Sequence, residues 1–121
     1  HIDELLRKNR VNGIYLDEQL KHIKGIKLMN NNPKCNSAYW LYTIRILNDK
    51  KQEFMENMKD AKIMTSQVHN RNDINSCVKE FQEILPNLDI LEKELVCIPV
   101  GWWLEEKDLE YIVNTIKSYK L

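Results

Sequence analysis

The chain has 121 residues, and its 18 Lys and Arg are balanced by 18 Asp and Glu. This length fits one domain with a core of its own. The charge balance excludes the strong positive field that attracts nucleic acid or an anionic membrane, and no apolar run approaches the ~20 residues of a membrane span.

The first half of the chain predicts two helices on either side of a strand. A helix is expected over residues 1–23, with a possible break at Asn12-Gly13, where glycine costs about 1 kcal/mol relative to alanine. After a loop near residues 30–33, residues 37–47 predict a strand, and a helix follows over residues 50–60. The core face of the strand is expected to carry Trp40, Tyr42, Ile44 and Ile46.

The second half predicts two more strands and ends in an amphipathic helix. Strands are expected over residues 62–68 and 96–98, the latter stopped by Pro99. A short helix over residues 76–85 would turn Val78, Phe81, Ile84 and Leu85 inward, and one or two helical turns follow over residues 88–95. The last helix, residues 105–119, repeats apolar side chains at Leu109, Ile112, Val113 and Ile116. The fold class is therefore α/β (α+β), a small three-stranded sheet packed against helices, with one sheet face left for another domain.

The polar loop after the second predicted strand is the candidate binding site. It reads His69, Asn70, Arg71, Asn72 and Asp73. Arg71 could clamp a phosphate through its fork of donors, the amides could bond sugar hydroxyls, and His69 could donate to an anion or hold a neighbouring loop. In the alternative, Asp73 and Asn75 cap the next helix and Arg71 pairs with Asp73 on the surface.

The remaining residues with chemical potential favour structural roles. Of Trp102 and Trp103, at least one is expected in the core and the other at an interface. Cys97 is expected to be a small buried hydrophobe. The cysteines form no CxxC pair, so a disulfide framework and a zinc knuckle are disfavoured and a reducing cytoplasm is expected. The histidines lie in different segments, so no metal site is expected. Because the chain begins at His1 rather than methionine, we expect it to be a fragment.

Several segments, in order, resemble one enzyme family. They are Arg7 to Gly13, Ala38 to Tyr42, Ile63 to Ser66, Val68 to Asp73, Ile98 to Gly101 and Leu104 to Asp108. Together they are similar to the C-terminal part of the DegT/DnrJ/EryC1/StrS family of pyridoxal-phosphate-dependent nucleotide-sugar aminotransferases, and the likeness covers nearly the whole chain.

The resemblance implies that residues 1–121 are the single C-terminal small domain of an enzyme with the aspartate-aminotransferase fold (PLP fold type I). The intact homodimer would move an amino group from glutamate to a nucleotide-linked keto-sugar. Pyridoxal phosphate would sit on the missing N-terminal domain and not on this chain, which would be inactive alone. His69, Arg71 and Asn72 would face the nucleotide-sugar. The alternative is a non-catalytic module that binds nucleotide-sugars or partners. A free-standing enzyme working through His69 and Asp73 is a third, less favoured hypothesis.

Overall fold

The computed structural model describes residues 1–120. The elements follow in the order α1 (Ile2–Leu20), β1 (Ile26–Leu28), β2 (Tyr42–Ile46), α2 (Lys51–Asp60), a 3-10 helix (Ser76–Phe81), α3 (Pro86–Glu94), β3 (Leu95–Ile98) and α4 (Glu106–Ser118). No helix in this described part is both long and apolar enough to span a membrane.

The three strands form one antiparallel sheet with β2 in the centre. Ile44 of β2 stands opposite Leu28 of β1 on one side and Val96 of β3 on the other. The side chains of β2 alternate, so that Tyr42, Ile44 and Ile46 are buried on one face. The predicted fold class, a small three-stranded sheet packed against helices, is confirmed.

The identity of one strand was predicted wrongly. Residues 62–68 do not form a strand, and within them only Ser66 pairs with the sheet, exchanging backbone hydrogen bonds of 3.2 and 2.8 Å with Cys97. Lys62 turns the chain with a φ of 61°, and Met64 is 83% exposed. The third strand is instead β1, which follows Gly25. A strand needs a partner along its length, and this segment meets β3 at one residue only.

The core lies between the sheet and the helices α1, α2 and α4. Its fully buried members are Leu16, Leu20, Ile44, Ile46, Phe54, Met58, Val96, Val113 and Ile116. The apolar stripe of the last helix is buried as its spacing predicted, with Leu109 and Ile112 beside Val113 and Ile116. The α4 helix begins where the Glu105 N–H donates to Oδ2 of Asp108 at 2.9 Å, which satisfies one free donor of the first turn.

Helix α1 runs unbroken through Asn12-Gly13, where a break was possible, and ends at Leu20 rather than near residue 23. The Asn12 side chain is buried and donates to the carbonyl oxygen of Gly101 at 3.1 Å. Gly13 leaves room for the ring of Tyr39. The Asn12-Gly13 pair, whose sequence suggests a helix break, is therefore a contact point for two distant loops.

Several apolar side chains expected in the core are exposed. Trp40 precedes β2 and is 78% exposed, so its predicted place on the core face is wrong. The helix predicted over residues 76–85 is a 3-10 helix that ends at Phe81, with no buried member, and Ile84 is 91% exposed. Both Trp102 and Trp103 are exposed, whereas at least one was expected inside. No element within residues 1–120 covers these side chains.

Candidate functional site

The loop from Gln67 to Asn75 carries the predicted site residues, but their side chains lie at different places. His69 is exposed and lines a pocket of about 230 Å³ beside β2. Asn72 is also exposed and lines a separate pocket of about 280 Å³ next to the 3-10 helix. Arg71 turns toward α3, and its side chain is only 13% exposed. The three residues share a loop without converging on one point.

The pocket beside His69, here named the tyrosine pocket, combines residues from α1, β2 and the loop between β1 and β2. Its principal polar and aromatic lining is Asp17, Asn31, Ser37, Tyr39, Tyr42 and His69. Asp17 reaches it from the sheet-facing side of α1. Tyr42 is the first residue of β2 and points to the same face as the core side chains. The pocket therefore opens at the edge of the core, where packed elements hold its wall in place.

Asp17 organises that wall by accepting two hydrogen bonds. The Tyr39 hydroxyl donates to Oδ2 and the Tyr42 hydroxyl donates to Oδ1, each at 2.7 Å. The Asn31 side-chain amide in turn donates to the Tyr39 hydroxyl at 3.2 Å. The two tyrosine rings are stacked with centroids 6.1 Å apart. This arrangement ties α1, β2 and the intervening loop together through a single carboxylate.

Burial and the Asp17 carboxylate keep both phenols protonated. Burial, followed by the hydrogen bond and the charge of Asp17, raises the pKa of Tyr39 to about 12. The same causes, in the same order, raise the pKa of Tyr42 well above its ordinary value. Both hydroxyls therefore act as hydrogen-bond donors at neutral pH, and the pocket presents a polar wall rather than a base.

Arg71 is enclosed by carboxylates. Its Nε and Nη2 donate to the two oxygens of Asp73 at 2.9 and 2.7 Å, and its Nη1 donates to Oδ1 of Asp89. Glu92 lies 3.5 Å from the same Nη1. The hydrogen bonds that Arg71 donates to Asp73 and Asp89 raise the pKa of Arg71, and the bonds that Asp73 accepts from Arg71 lower the pKa of Asp73. The Arg71–Asp73 pairing of the alternative interpretation is thus present, although Arg71 is largely buried. The capping part of that alternative is wrong for Asn75, which stands at the N-cap of the 3-10 helix without a side-chain capping hydrogen bond.

Two further cations contact α3 from other elements. Lys51, at the start of α2, donates to Oε1 of Gln67 and, at 2.7 Å, to the carbonyl oxygen of Glu92. Arg45 of β2 donates to Oε2 of Glu94 at 2.6 Å. Burial lowers the pKa of Lys51. None of these contacts was predicted, although the spacing of Asp89, Glu92 and Glu94 on one short helix was a visible signal.

Exposed apolar side chains border two grooves on another side of the domain. A groove of about 350 Å³ is lined by Ile63, Met64, Leu104 and Tyr111 among others. A second groove of about 600 Å³ shares Ile63 and Met64 and extends to Met55 on α2. Trp103 lies over Gly101 and packs edge-to-face on Trp102, with ring centroids 5.9 Å apart. Such exposed apolar surface is typical of contacts with another domain or chain.

Comparison with known proteins gives consistent matches. The model of the DegT/DnrJ/EryC1/StrS aminotransferase family matches residues 1–117. The structure is similar to the sugar aminotransferase CalS13 from Micromonospora echinospora, with a TM-score of 0.92 and 40% identity over 98% of this chain and 31% of that chain. It is similar to AtS13 from Actinomadura melliaura at a TM-score of 0.92 and 35% identity, over 99% of this chain and 32% of that chain.

The fold extends to more distant proteins. The aminotransferase TlmJ from Streptoalloteichus hindustanus has the same fold at 19% identity, with a TM-score of 0.88 over 96% of this chain and 32% of that chain. The chain therefore spans about a third of the length of these solved structures. Among curated proteins, none matches the chain significantly.

Proposed function

Because this chain belongs to the DegT/DnrJ/EryC1/StrS aminotransferase family, as its motifs predicted, we propose that it is the C-terminal small domain of an enzyme that transfers an amino group from glutamate to a nucleotide-linked keto-sugar. One observation carries most of this proposal: nearly the whole chain superposes on 31% of a sugar aminotransferase at 40% identity. In this proposal the chain supplies one wall of the substrate pocket and is not catalytic alone.

When bound, pyridoxal phosphate supplies the electron-withdrawing ring that amino-group transfer requires. Two partly buried cations of this chain, Lys51 and Arg71, already have partners of their own, which supports a site for this group elsewhere. Lys51, whose pKa is lowered by burial, donates hydrogen bonds to Gln67 and to the Glu92 carbonyl, and Arg71 is bonded to carboxylates. We therefore assign the cofactor to a part of the intact enzyme outside this chain.

The residues of this chain are proposed to bind and orient the nucleotide-sugar. His69 stands exposed at the tyrosine pocket, where its ring can donate to an anionic or hydroxyl oxygen. Asn72 is exposed on the same loop, at a separate pocket beside the 3-10 helix, and can bond a hydroxyl. The protonated phenols of Tyr39 and Tyr42 form a fixed wall behind His69. Arg71 belongs to the same loop, but its guanidinium is bonded to Asp73 and Asp89.

The exposed apolar side chains are proposed to meet the rest of the enzyme. Met64, Phe81, Ile84, Trp102 and Trp103 are all exposed, and no element of residues 1–120 covers them. In the proposed homodimer, the N-terminal domain and the partner subunit would bury this surface. We also place the enzyme in the cytoplasm, which suits the free thiols of the cysteines.

The test is an assay of the protein translated from the whole reading frame and loaded with pyridoxal phosphate. Glutamate and a panel of nucleotide-linked keto-sugars are supplied, and 2-oxoglutarate and the amino-sugar product are quantified by mass spectrometry. We expect stoichiometric formation of both with at least one keto-sugar. Saturable binding of a nucleotide-sugar without turnover by any member of the panel would support the non-catalytic module and contradict the proposed reaction.

A further inference from the structure

The segment that carries His69 has little regular structure to fix it. Between the Ser66 bridge and the 3-10 helix, its backbone hydrogen bonds include a turn in which the Asn75 N–H donates to the Asn72 carbonyl at 3.2 Å. His69, Asn70 and Asn72 are exposed. Arg71 is the exception, since only 13% of its side chain is exposed. The position of His69 therefore depends on what holds Arg71.

Arg71 is held by α3 and by its own loop. The bidentate contact with Asp73 closes the loop on itself, and the contacts with Asp89 and Glu92 fasten it to the helix. Lys51 provides a second link between the loop and α3, because it donates to both Gln67 of the loop and the Glu92 carbonyl. Since α3 has no fully buried side chain, ionic contacts make a large contribution to this junction.

The charges around Arg71 are unfavourable for a phosphate. One guanidinium cation faces the three carboxylates of Asp73, Asp89 and Glu92, so the cluster carries a net negative charge when all are ionised. A substrate phosphate would have to displace a bonded carboxylate and then lie beside the others. Like charges at such distances repel, and the repulsion increases where water is excluded.

We propose that Arg71 is a positioning residue, which fastens the loop to α3 so that His69 stands at the tyrosine pocket, and that it does not bind the phosphate of the substrate. This role rests on the proposed function only in that His69 contacts the nucleotide-sugar. Asp89 is the residue through which Arg71 acts, because it joins Arg71 to α3 without belonging to the loop.

The test is a double-mutant cycle in the intact, cofactor-loaded enzyme. Arg71→Ala and Asp89→Asn should each raise KM for the nucleotide-sugar by about tenfold or more, and leave KM for glutamate unchanged. The double variant should be no worse than Arg71→Ala, because Arg71→Ala already removes the Arg71–Asp89 contact that Asp89→Asn weakens. Arg71→Lys should recover part of the loss, since it keeps the charge but not the fork. Asp60→Asn, which removes an exposed carboxylate elsewhere, is the matched control.

A phosphate-binding role predicts the opposite sign for one variant. Asp89→Asn would then free the guanidinium and lower KM for the nucleotide-sugar, or leave it unchanged, while Arg71→Ala raised it. Either result for Asp89→Asn would overturn the positioning role. A parallel rise in KM for glutamate would also count against it, because that pattern indicates general damage to the enzyme.

Hydrogen exchange provides a readout that does not depend on turnover. Amides of residues 67–75 should exchange faster in Arg71→Ala and Asp89→Asn than in the wild type, and at the wild-type rate in Asp60→Asn. Unchanged exchange in both loop variants would refute the positioning role even if the enzyme were inactive on every sugar tested. Absence of wild-type turnover with accelerated exchange in the variants would instead refute the proposed reaction and leave the fastening intact.

Discussion

The ring of Tyr39 packs so closely on Gly13 that a Cβ atom built on this glycine would lie 2.2 Å from ring carbon Cδ1. Glycine inside a helix costs about 1 kcal/mol relative to alanine. Here it lets Tyr39, whose own φ is 46°, reach Asp17 one turn further along α1. The contact explains why a residue unfavourable for a helix lies in the middle of a continuous one.

Gly13→Ala should destabilise the protein despite the better helix propensity of alanine. The added methyl group must displace the Tyr39 ring, and overpacking of this kind costs about 1–3 kcal/mol. Urea unfolding of the 121-residue chain, followed by circular dichroism, measures the change. In a Tyr39→Ala background the same substitution should instead stabilise the chain by up to about 1 kcal/mol. Stabilisation by Gly13→Ala alone would contradict this prediction, because it would mean that the Tyr39 ring moves aside at little cost.

Asp17→Ala should remove the acceptor of two tyrosine hydroxyls at once. Tyr42 is buried, and leaving a buried donor without a partner costs about 1–3 kcal/mol. Glu18→Ala is the matched control, because it deletes the next carboxylate on the exposed side of the same helix. We expect the unfolding midpoint to fall for Asp17→Ala and to stay close to wild type for Glu18→Ala. Equal effects of the two substitutions would contradict the role of Asp17 as the acceptor of both hydroxyls.

Stability should decline at high pH because of the same tyrosines. An unfolded tyrosine loses its proton near pH 10, whereas the folded pKa of Tyr39 is about 12 and that of Tyr42 is also raised. Between these values the folded state binds more protons than the unfolded state. The contribution is therefore fully present below about pH 10 and is lost as the pH rises toward about 12. Tyr39→Phe should reduce this decline in urea midpoint, and an identical decline in the variant would contradict the assignment.

Asn12 should tolerate neither loss of its amide nor replacement of the amide by a carboxylate. Asn12→Ala leaves the Gly101 carbonyl without its donor and should cost about 1–3 kcal/mol. Asn12→Asp should cost more, because it sets a buried carboxylate against a carbonyl oxygen, and its loss should be larger at about pH 8 than at about pH 5. Thermal unfolding followed by tryptophan fluorescence measures both effects. The exposed Asn114→Asp is the control, and a pH-independent loss for Asn12→Asp would contradict the burial of this contact.

The elements that could be predicted are those whose apolar pattern is satisfied inside this chain. The alternation of Tyr42, Ile44 and Ile46 and the helical spacing from Leu109 to Ile116 both face the common core, so pattern and structure agree. Strand β1 was missed because three residues are too few to show an alternation. Residues 62–68 have the composition of a strand, but strand formation depends on a distant partner, and only Cys97 is available.

The sequence pattern could not predict the direction of the side chains in the candidate site. The polar loop was recognised, yet the inward turn of Arg71 depends on Asp89 and Glu92, which lie on a later helix. The tyrosine pocket was missed for the same reason, since Asp17 meets Tyr39 and Tyr42 only after folding. Trp40, Trp102 and Trp103 were assigned by their apolar character, and a sequence does not state which part of a protein covers an apolar side chain.

We propose that this chain forms one side of an aminotransferase whose reactive lysine lies elsewhere in the same enzyme. Borohydride reduction of the intact, cofactor-loaded protein, followed by peptide mapping, locates the lysine that carries pyridoxal phosphate. We predict a pyridoxyl group on one lysine outside residues 1–121 and none on Lys51 or its neighbours. A stoichiometric label on Lys51, or on any other lysine of this chain, would contradict a cofactor site outside it.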